Sequence, residues 1–215
     1  MSETLQSDLS QKALSAVKYT VIYRTISQLV GIVTLIVLVR LLSKHDYGVY
    51  HLLYSVIALI GMVASLGIAN TLQRFMPEYY SRGEFVLANK LYRTFSLLRL
   101  LSNVLILGVL ILFWDFFGTL LKISEYKNYF LLFSLVILLH MQRGLLETCL
   151  ASYFLQKYSQ KLSAIFALIK GIGYTLAFIM RWNLWLIIII DLLAYIIIFI
   201  LLQMIYSKKI PKQGV

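Results

Sequence analysis

Cysteine, proline and acidic residues are all scarce: the 215 residues include one cysteine, two prolines and nine acids. A single cysteine, Cys149, rules out an intramolecular disulfide framework. So few prolines, with no Gly/Ser-rich or low-complexity stretch, leave nothing that would mark a linker between domains. Charged residues make up 13% of the chain, about half the share found in soluble globular domains. Catalytic signatures are missing too: there is no HExxH, GxSxG, P-loop, CxxC or dinucleotide fingerprint. His45, His51 and His140 lack ligand-like spacing, so neither a metal nor another cofactor is expected.

What remains is apolar. Sixty per cent of the residues are hydrophobic and the mean hydropathy is +0.83. A water-soluble domain of this length cannot hide so much apolar surface in one core, so the solvent is a bilayer. Six segments reach the roughly 20 residues a spanning helix needs: Val17–Leu42, Val49–Leu72, Leu91–Phe117, Tyr129–Leu155, Leu162–Met180 and Leu184–Tyr206. The expected protein is therefore all-α and polytopic. Residues 1–16 form a short N-terminal segment, 17–206 a six-helix lobe and 207–215 a short tail. Glu3 and Asp8, with no small-residue cleavage site after the first run, argue against a cleaved signal peptide. "FWDFFGTLL" reads either as the end of the third span or as an interfacial corner, and Pro77 and Gly83 read as helix stops.

The net charge of +11 would suit a nucleic-acid ligand if it formed one patch. Instead the basic residues gather at the ends of apolar segments, where they orient helices, and no nucleic-acid partner is expected. Lys12, Lys18, Arg24, Arg74, Arg82, Lys90, Arg93, Lys157, Lys161, Lys208, Lys209 and Lys212 fall on one side. Arg40, Lys44, Lys122, Lys127 and Arg181 fall on the other. That bias places both termini of a multi-pass membrane protein in the cytoplasm.

Ionisable residues inside spans are costly and mark candidate sites. Arg24 belongs to a polar, small stripe with Thr20, Gln28 and Gly31, which suits a cavity wall, although snorkelling is easy at its depth. Arg99 has a similar depth, beside Phe95 and Asn103. Arg143 and Glu147 lie one helical turn apart and can neutralise each other. Asp191, two turns into the last span, suits either a proton-carrying carboxylate or a partner for a neighbouring cation. Lys170 is farthest from either membrane surface, with Phe166 and Tyr174 on its face and Gly171 and Gly173 beside it to admit another helix. Pairing with Asp191 or Glu147 is the alternative to a ligand-binding role. Four cations against two acids give a net positive interior, which favours an anionic substrate, and Arg and Lys are both phosphate binders.

Two stretches carry a family resemblance. In Val39–Glu84 a helix ends in Arg40-Leu41-Leu42, followed by an acidic-aromatic-Gly-aromatic corner at Asp46, Tyr47, Gly48 and Tyr50. The next helix closes on Leu66-Gly67 and a turn through Asn70 to Arg74. Arg143–Ile165 resembles a fourth helix and the turn after it. Together they resemble the polysaccharide-biosynthesis and oligosaccharide flippases of the multidrug/oligosaccharidyl-lipid/polysaccharide exporter superfamily. The resemblance implies a membrane flippase, not an enzyme, that moves a polyprenyl-diphosphate-linked oligosaccharide by alternating access between two six-helix lobes. It implies substrate binding at Lys170, Arg143, Arg24 and Arg99, and ion coupling at Glu147 or Asp191. It also implies a second lobe, and "SKKIPKQGV" stands where that lobe is expected to begin. A fragment, a truncated product and a half-size protein completed by a second lobe or a second copy are the expectations for this chain. Three other readings compete. A multidrug extruder calls for acids facing cationic drugs. A membrane polymerase calls for a large extramembrane loop. A non-catalytic half-size partner subunit needs neither.

Overall fold

The computed structural model describes residues 2–64, 67–120, 122–153 and 155–210, with side chains from residue 18 onward. Among the described residues there is no strand. The helices are α1 Ser2–Leu41, α2 Lys44–Ala64, α3 Ile68–Ser81, α4 Phe85–Leu112, α5 Trp114–Leu120, α6 Lys127–Ser152, α7 Gln156–Ile179 and α8 Leu184–Lys209. A short 3-10 turn, Ser124–Tyr126, precedes α6. Six stretches are long and apolar enough to cross a membrane: Lys18–Leu41, Lys44–Ala64, Phe85–Leu112, Ser124–Ser152, Gln156–Ile179 and Leu184–Lys209. The protein is all-α and polytopic. Six crossings in alternation bring the start of the first and the end of the last to one side, called here the terminal side. Of the expected tail, residues 211–215 lie outside the described residues, as do the side chains of the expected N-terminal segment.

The expected spans are all present, but two end earlier than their hydropathy suggests. The second stops at Ala64 rather than Leu72. Gly67 adopts a left-handed conformation, φ 69°, that glycine reaches without a Cβ clash, and α3 starts anew beyond it. Four-residue spacing puts Ile68, Leu72 and Met76 on one buried face of α3. Pro77, expected to stop a helix, lies inside α3, which continues to Ser81. Its ring removes one backbone donor near the helix end, and the fully buried Leu72 and Met76 anchor the helix regardless. The stop falls at Gly83, φ 73°.

The third span ends at Leu112, and "FWDFFGTLL" is a corner. Trp114 is buried at the start of α5, packs against Phe130 with ring centroids 4.8 Å apart and planes tilted by 35°, and donates its indole N–H to the Ser124 carbonyl at 3.1 Å. A large apolar ring with one satisfied polar atom pins the turn between α4 and α6.

Helix α6 is the hub, packing against α2, α3, α4, α7 and α8, whereas α1 rests mainly on α7. One buried cluster joins Leu53, Phe133, Ile137 and Ile187. A second, nearer the terminal side, joins Leu72, Leu145, Leu146 and Leu202. Glycines set the spacing around α7. A Cβ at Gly173 would stand 2.7 Å from Ile190 Cγ2, and one at Gly171 would stand 3.2 Å from Thr34 Oγ1. Without lipid-excluding pressure between membrane helices, such close backbone approach is what earns packing contacts.

Gly173→Val is therefore expected to lower stability by about 1–3 kcal/mol by wedging α7 from α8. Gly31→Ala, with open space around the position, is expected to be near neutral. Thermal unfolding of the purified variants in detergent checks the order.

Candidate functional site

The site is assembled by three helices around one carboxylate. Asp191 on α8 is fully buried. Its Oδ2 accepts hydrogen bonds from Tyr50 and Tyr54 at 2.8 Å each, one helical turn apart on α2. Its Oδ1 accepts from Tyr174 at 2.5 Å and from the Lys170 ammonium at 2.8 Å, again one turn apart on α7. Lys170 also donates to Tyr54 Oη at 3.1 Å, and the Tyr50 and Tyr174 hydroxyl oxygens stand 2.7 Å apart, so either phenol can donate to the other in place of the carboxylate. The rings of Tyr54, Phe166 and Tyr174 surround the ammonium at 5.2, 5.5 and 5.3 Å from its nitrogen, within cation–π range. Lys170 thus takes the paired arrangement, and its partner is Asp191 rather than Glu147.

The second cluster lies one to two turns nearer the terminal side. Arg143 Nε meets Glu147 Oε1 at 2.8 Å and its Nη2 donates to Ser163 Oγ at 2.9 Å. The guanidinium carbon stands 4.4 Å above the Phe166 ring and 5.9 Å from that of Tyr195. Phe166 therefore carries a cation from each cluster, Arg143 and Lys170. Tyr195 is hydrogen-bonded to His140 Nδ1 at 3.0 Å. On α6, His140, Arg143, Gly144, Glu147 and Thr148 are half-buried, while Met141, Gln142, Leu145, Leu146, Cys149 and Leu150 are buried. This polar stripe at helical spacing is the hub helix's open face.

Arg99 completes the set from α4. Together with Arg143 and Lys170 it is an electrostatic neighbour of His140. It has no carboxylate partner among the described residues. Its Nε is buried without a hydrogen bond and its Nη2 reaches only the Met141 sulfur, at 3.6 Å. One turn on, Asn103 is fully buried with both side-chain polar atoms unpartnered. Arg24 stands apart, exposed on α1. From its stripe, Gly31 reaches a cleft of about 360 Å³ between α1, α2 and α7, together with Thr34, Tyr50, Tyr54, Phe166 and Lys170. The structure thus gathers Lys170, Asp191, Arg143, Glu147 and Arg99 around Phe166 and His140, and leaves Arg24 outside. Among the described residues no group of three or more His, Cys, Asp or Glu side chains is placed to hold a metal.

Sequence reasoning placed Tyr174 beside Lys170 but missed the other two tyrosines that hold Asp191. Tyr50 and Tyr54 stand at i,i+4 in the one span without Lys, Arg, Asp or Glu between Val49 and Gln73. Two phenols on one face of so apolar a helix call for a polar partner, and that was the available signal.

Six membrane-capable helices around a buried, mostly paired polar cluster define a multi-pass helical membrane protein. Residues 14–215 match the family model described as polysaccharide biosynthesis protein, and the chain belongs to that family. No curated protein and no solved structure matches it.

Removing the buried carboxylate strands a cation that is only 15% exposed. Asp191→Asn is expected to cost about 3–5 kcal/mol, and Lys170→Met combined with Asp191→Leu to recover most of it. Glu147→Gln, which removes a 31% exposed carboxylate but leaves an amide oxygen to accept from Arg143, is expected to cost less, about 1–3 kcal/mol. Unfolding midpoints in detergent rank the three.

Proposed function

We propose that this protein is a flippase, or one lobe of a flippase, that moves a polyprenyl-diphosphate-linked oligosaccharide across the plasma (inner) membrane, with both termini cytoplasmic. Family membership supports a role in polysaccharide biosynthesis. The observation that carries the finer reading is the Arg143–Phe166–Lys170 ladder with Arg99 beside it: cations outnumber carboxylates inside a membrane-embedded cluster. A lipid diphosphate is the membrane-soluble anion with charge to match.

The two ion pairs divide the work. Arg143 and Glu147 are held by a pair one helical turn apart on the open face of α6. There, a diphosphate exchanges with the Glu147 carboxylate for the guanidinium, and Arg99, with no acid of its own, adds a second contact. Lys170 stands deeper, lining the cleft between α1, α2 and α7. It takes the diphosphate next, while Asp191 keeps its three phenols. Glu147 or Asp191, released from its cation, takes up a proton or a sodium ion, which couples substrate passage to ion movement. Arg24, exposed further along α1, is the entry cation. Nothing in this scheme breaks a covalent bond, so the role is transport rather than catalysis.

Alternating access needs a facing wall. The open cleft and the exposed apolar residues of α1 and α7, among them Leu29, Val33, Ile172 and Leu176, suit a second six-helix lobe or a second copy. The net positive interior disfavours a multidrug extruder, whose cationic substrates require unpaired acids.

Arg143→Ala and Lys170→Ala in the complete transporter are each expected to reduce surface polysaccharide at least tenfold at normal membrane abundance. Arg82→Ala, altering an exposed arginine paired with Glu78, leaves it unchanged. Wild-type polysaccharide levels in both interior variants sink the proposal.

A further inference from the structure

A second polar cavity lies between α4 and α8, lined by none of Arg99, Arg143, Lys170 and Asp191. At their terminal-side ends, α4 and α8 both pack on α6 or its neighbours rather than closely on each other. The gap between them is a cleft of about 690 Å³. Its floor is braced: Tyr206 donates to Asn89 Oδ1 at 2.7 Å, Gln203 donates to Tyr92 Oη at 3.4 Å, and the Tyr92 and Tyr206 rings stack with centroids 4.6 Å apart. Lys90 and Arg93 stand on its wall, exposed and without a carboxylate partner among the described residues. Deeper along α4 the wall turns apolar. Leu97 and Leu100 are 57% and 38% exposed and line the same cleft.

The order along the helix matters. At 1.5 Å per residue, Lys90 and Leu100 are about 15 Å apart along the α4 axis. Basic and hydroxyl-bearing groups occupy the mouth at the membrane surface, and an apolar groove runs from there towards the hydrocarbon. A soluble anion uses only the mouth. A molecule with a phosphate at one end and an acyl chain at the other uses both.

We infer that the α4–α8 cleft is a binding site for one anionic glycerophospholipid of the terminal-side leaflet. Lys90 and Arg93 hold its phosphate, and Leu97 and Leu100 pack along an acyl chain. This site is separate from the cluster around Asp191. Tyr92 on its wall belongs to the second apolar cluster, and none of Arg143, Lys170 and Asp191 lines it. The inference does not depend on which molecule the protein transports.

The test uses the purified full chain in detergent with added phosphatidylglycerol or phosphatidylcholine, read by native mass spectrometry. One phosphatidylglycerol is expected to remain bound, with about a tenfold preference over phosphatidylcholine. Lys90→Gln with Arg93→Gln is expected to abolish that preference. Lys90→Arg with Arg93→Lys retains it and reports folding, and Arg82→Gln retains it as the surface-charge control. No preference in the wild-type chain, or an unchanged preference in the double glutamine variant, overturns the site. If a polyprenyl diphosphate binds through Lys90 and Arg93 and phosphatidylglycerol does not, the assigned occupant is wrong and the inference falls.

Discussion

The Asp191 carboxylate holds the interior together. A charge this deep in a bilayer protein persists only when its surroundings replace water. Here three phenols and an ammonium do so, with every oxygen of the carboxylate taken. Because the donors come from α2 and α7, the residue on α8 fixes the mutual rotation of three helices. The neighbouring apolar contacts are not directional, so the position of Tyr50, Tyr54 and Tyr174 follows from this hydrogen-bond set more than from packing. Glycines at 171 and 173 then allow α7 to sit close to both α1 and α8.

Phe166 links this rigid centre to a looser one. Its ring lies under Arg143 on one side and within range of Lys170 on the other. The Arg143–Glu147 pair lies within one helix and its carboxylate has more access to water, so exchanging that carboxylate for another anion gives up a single long interhelical hydrogen bond, from Ser163 Oγ at 3.4 Å. The Lys170–Asp191 pair spans two helices, so exchange there disturbs their register. A protein that must bind and release an anion while staying folded benefits from having both kinds.

Much of the architecture was legible because spanning helices need long apolar runs, and all six runs became helices. The breaks were harder. Hydropathy continues smoothly through Leu66 to Leu72, so the end of α2 was marked by the Leu66-Gly67 motif of the family resemblance and not by the apolar run. Pro77 was overread, since its effect on a helix depends on what anchors the residues around it, and Met76 is buried. Within the site, Arg143 with Glu147 followed from spacing alone because both lie on one helix. Whether Lys170 faced Asp191, Glu147 or a ligand depends on helix rotation across the bundle, which one-dimensional spacing does not contain. The same blindness hid Tyr50 and Tyr54, whose partner is far away in sequence. Arg24 stood in a persuasive stripe, yet a stripe identifies a face and not what the face meets.

The pairing of helices also bears on how the chain is made. Helix α1 leaves the ribosome well before α7, the surface it mostly packs on, so during synthesis it waits in lipid until nearly the whole lobe has followed. Its apolar exterior tolerates that interval. Lys170 does not have to wait so long: α7 and α8 are consecutive, joined by a tight turn at Arg181 to Asn183, and Asp191 arrives in the very next helix. Inserted together as a hairpin, the two helices carry their opposite charges into the membrane already matched. The most deeply buried ion pair among the described residues is then formed by neighbours at birth, and the long-range tyrosines need only close around it afterwards.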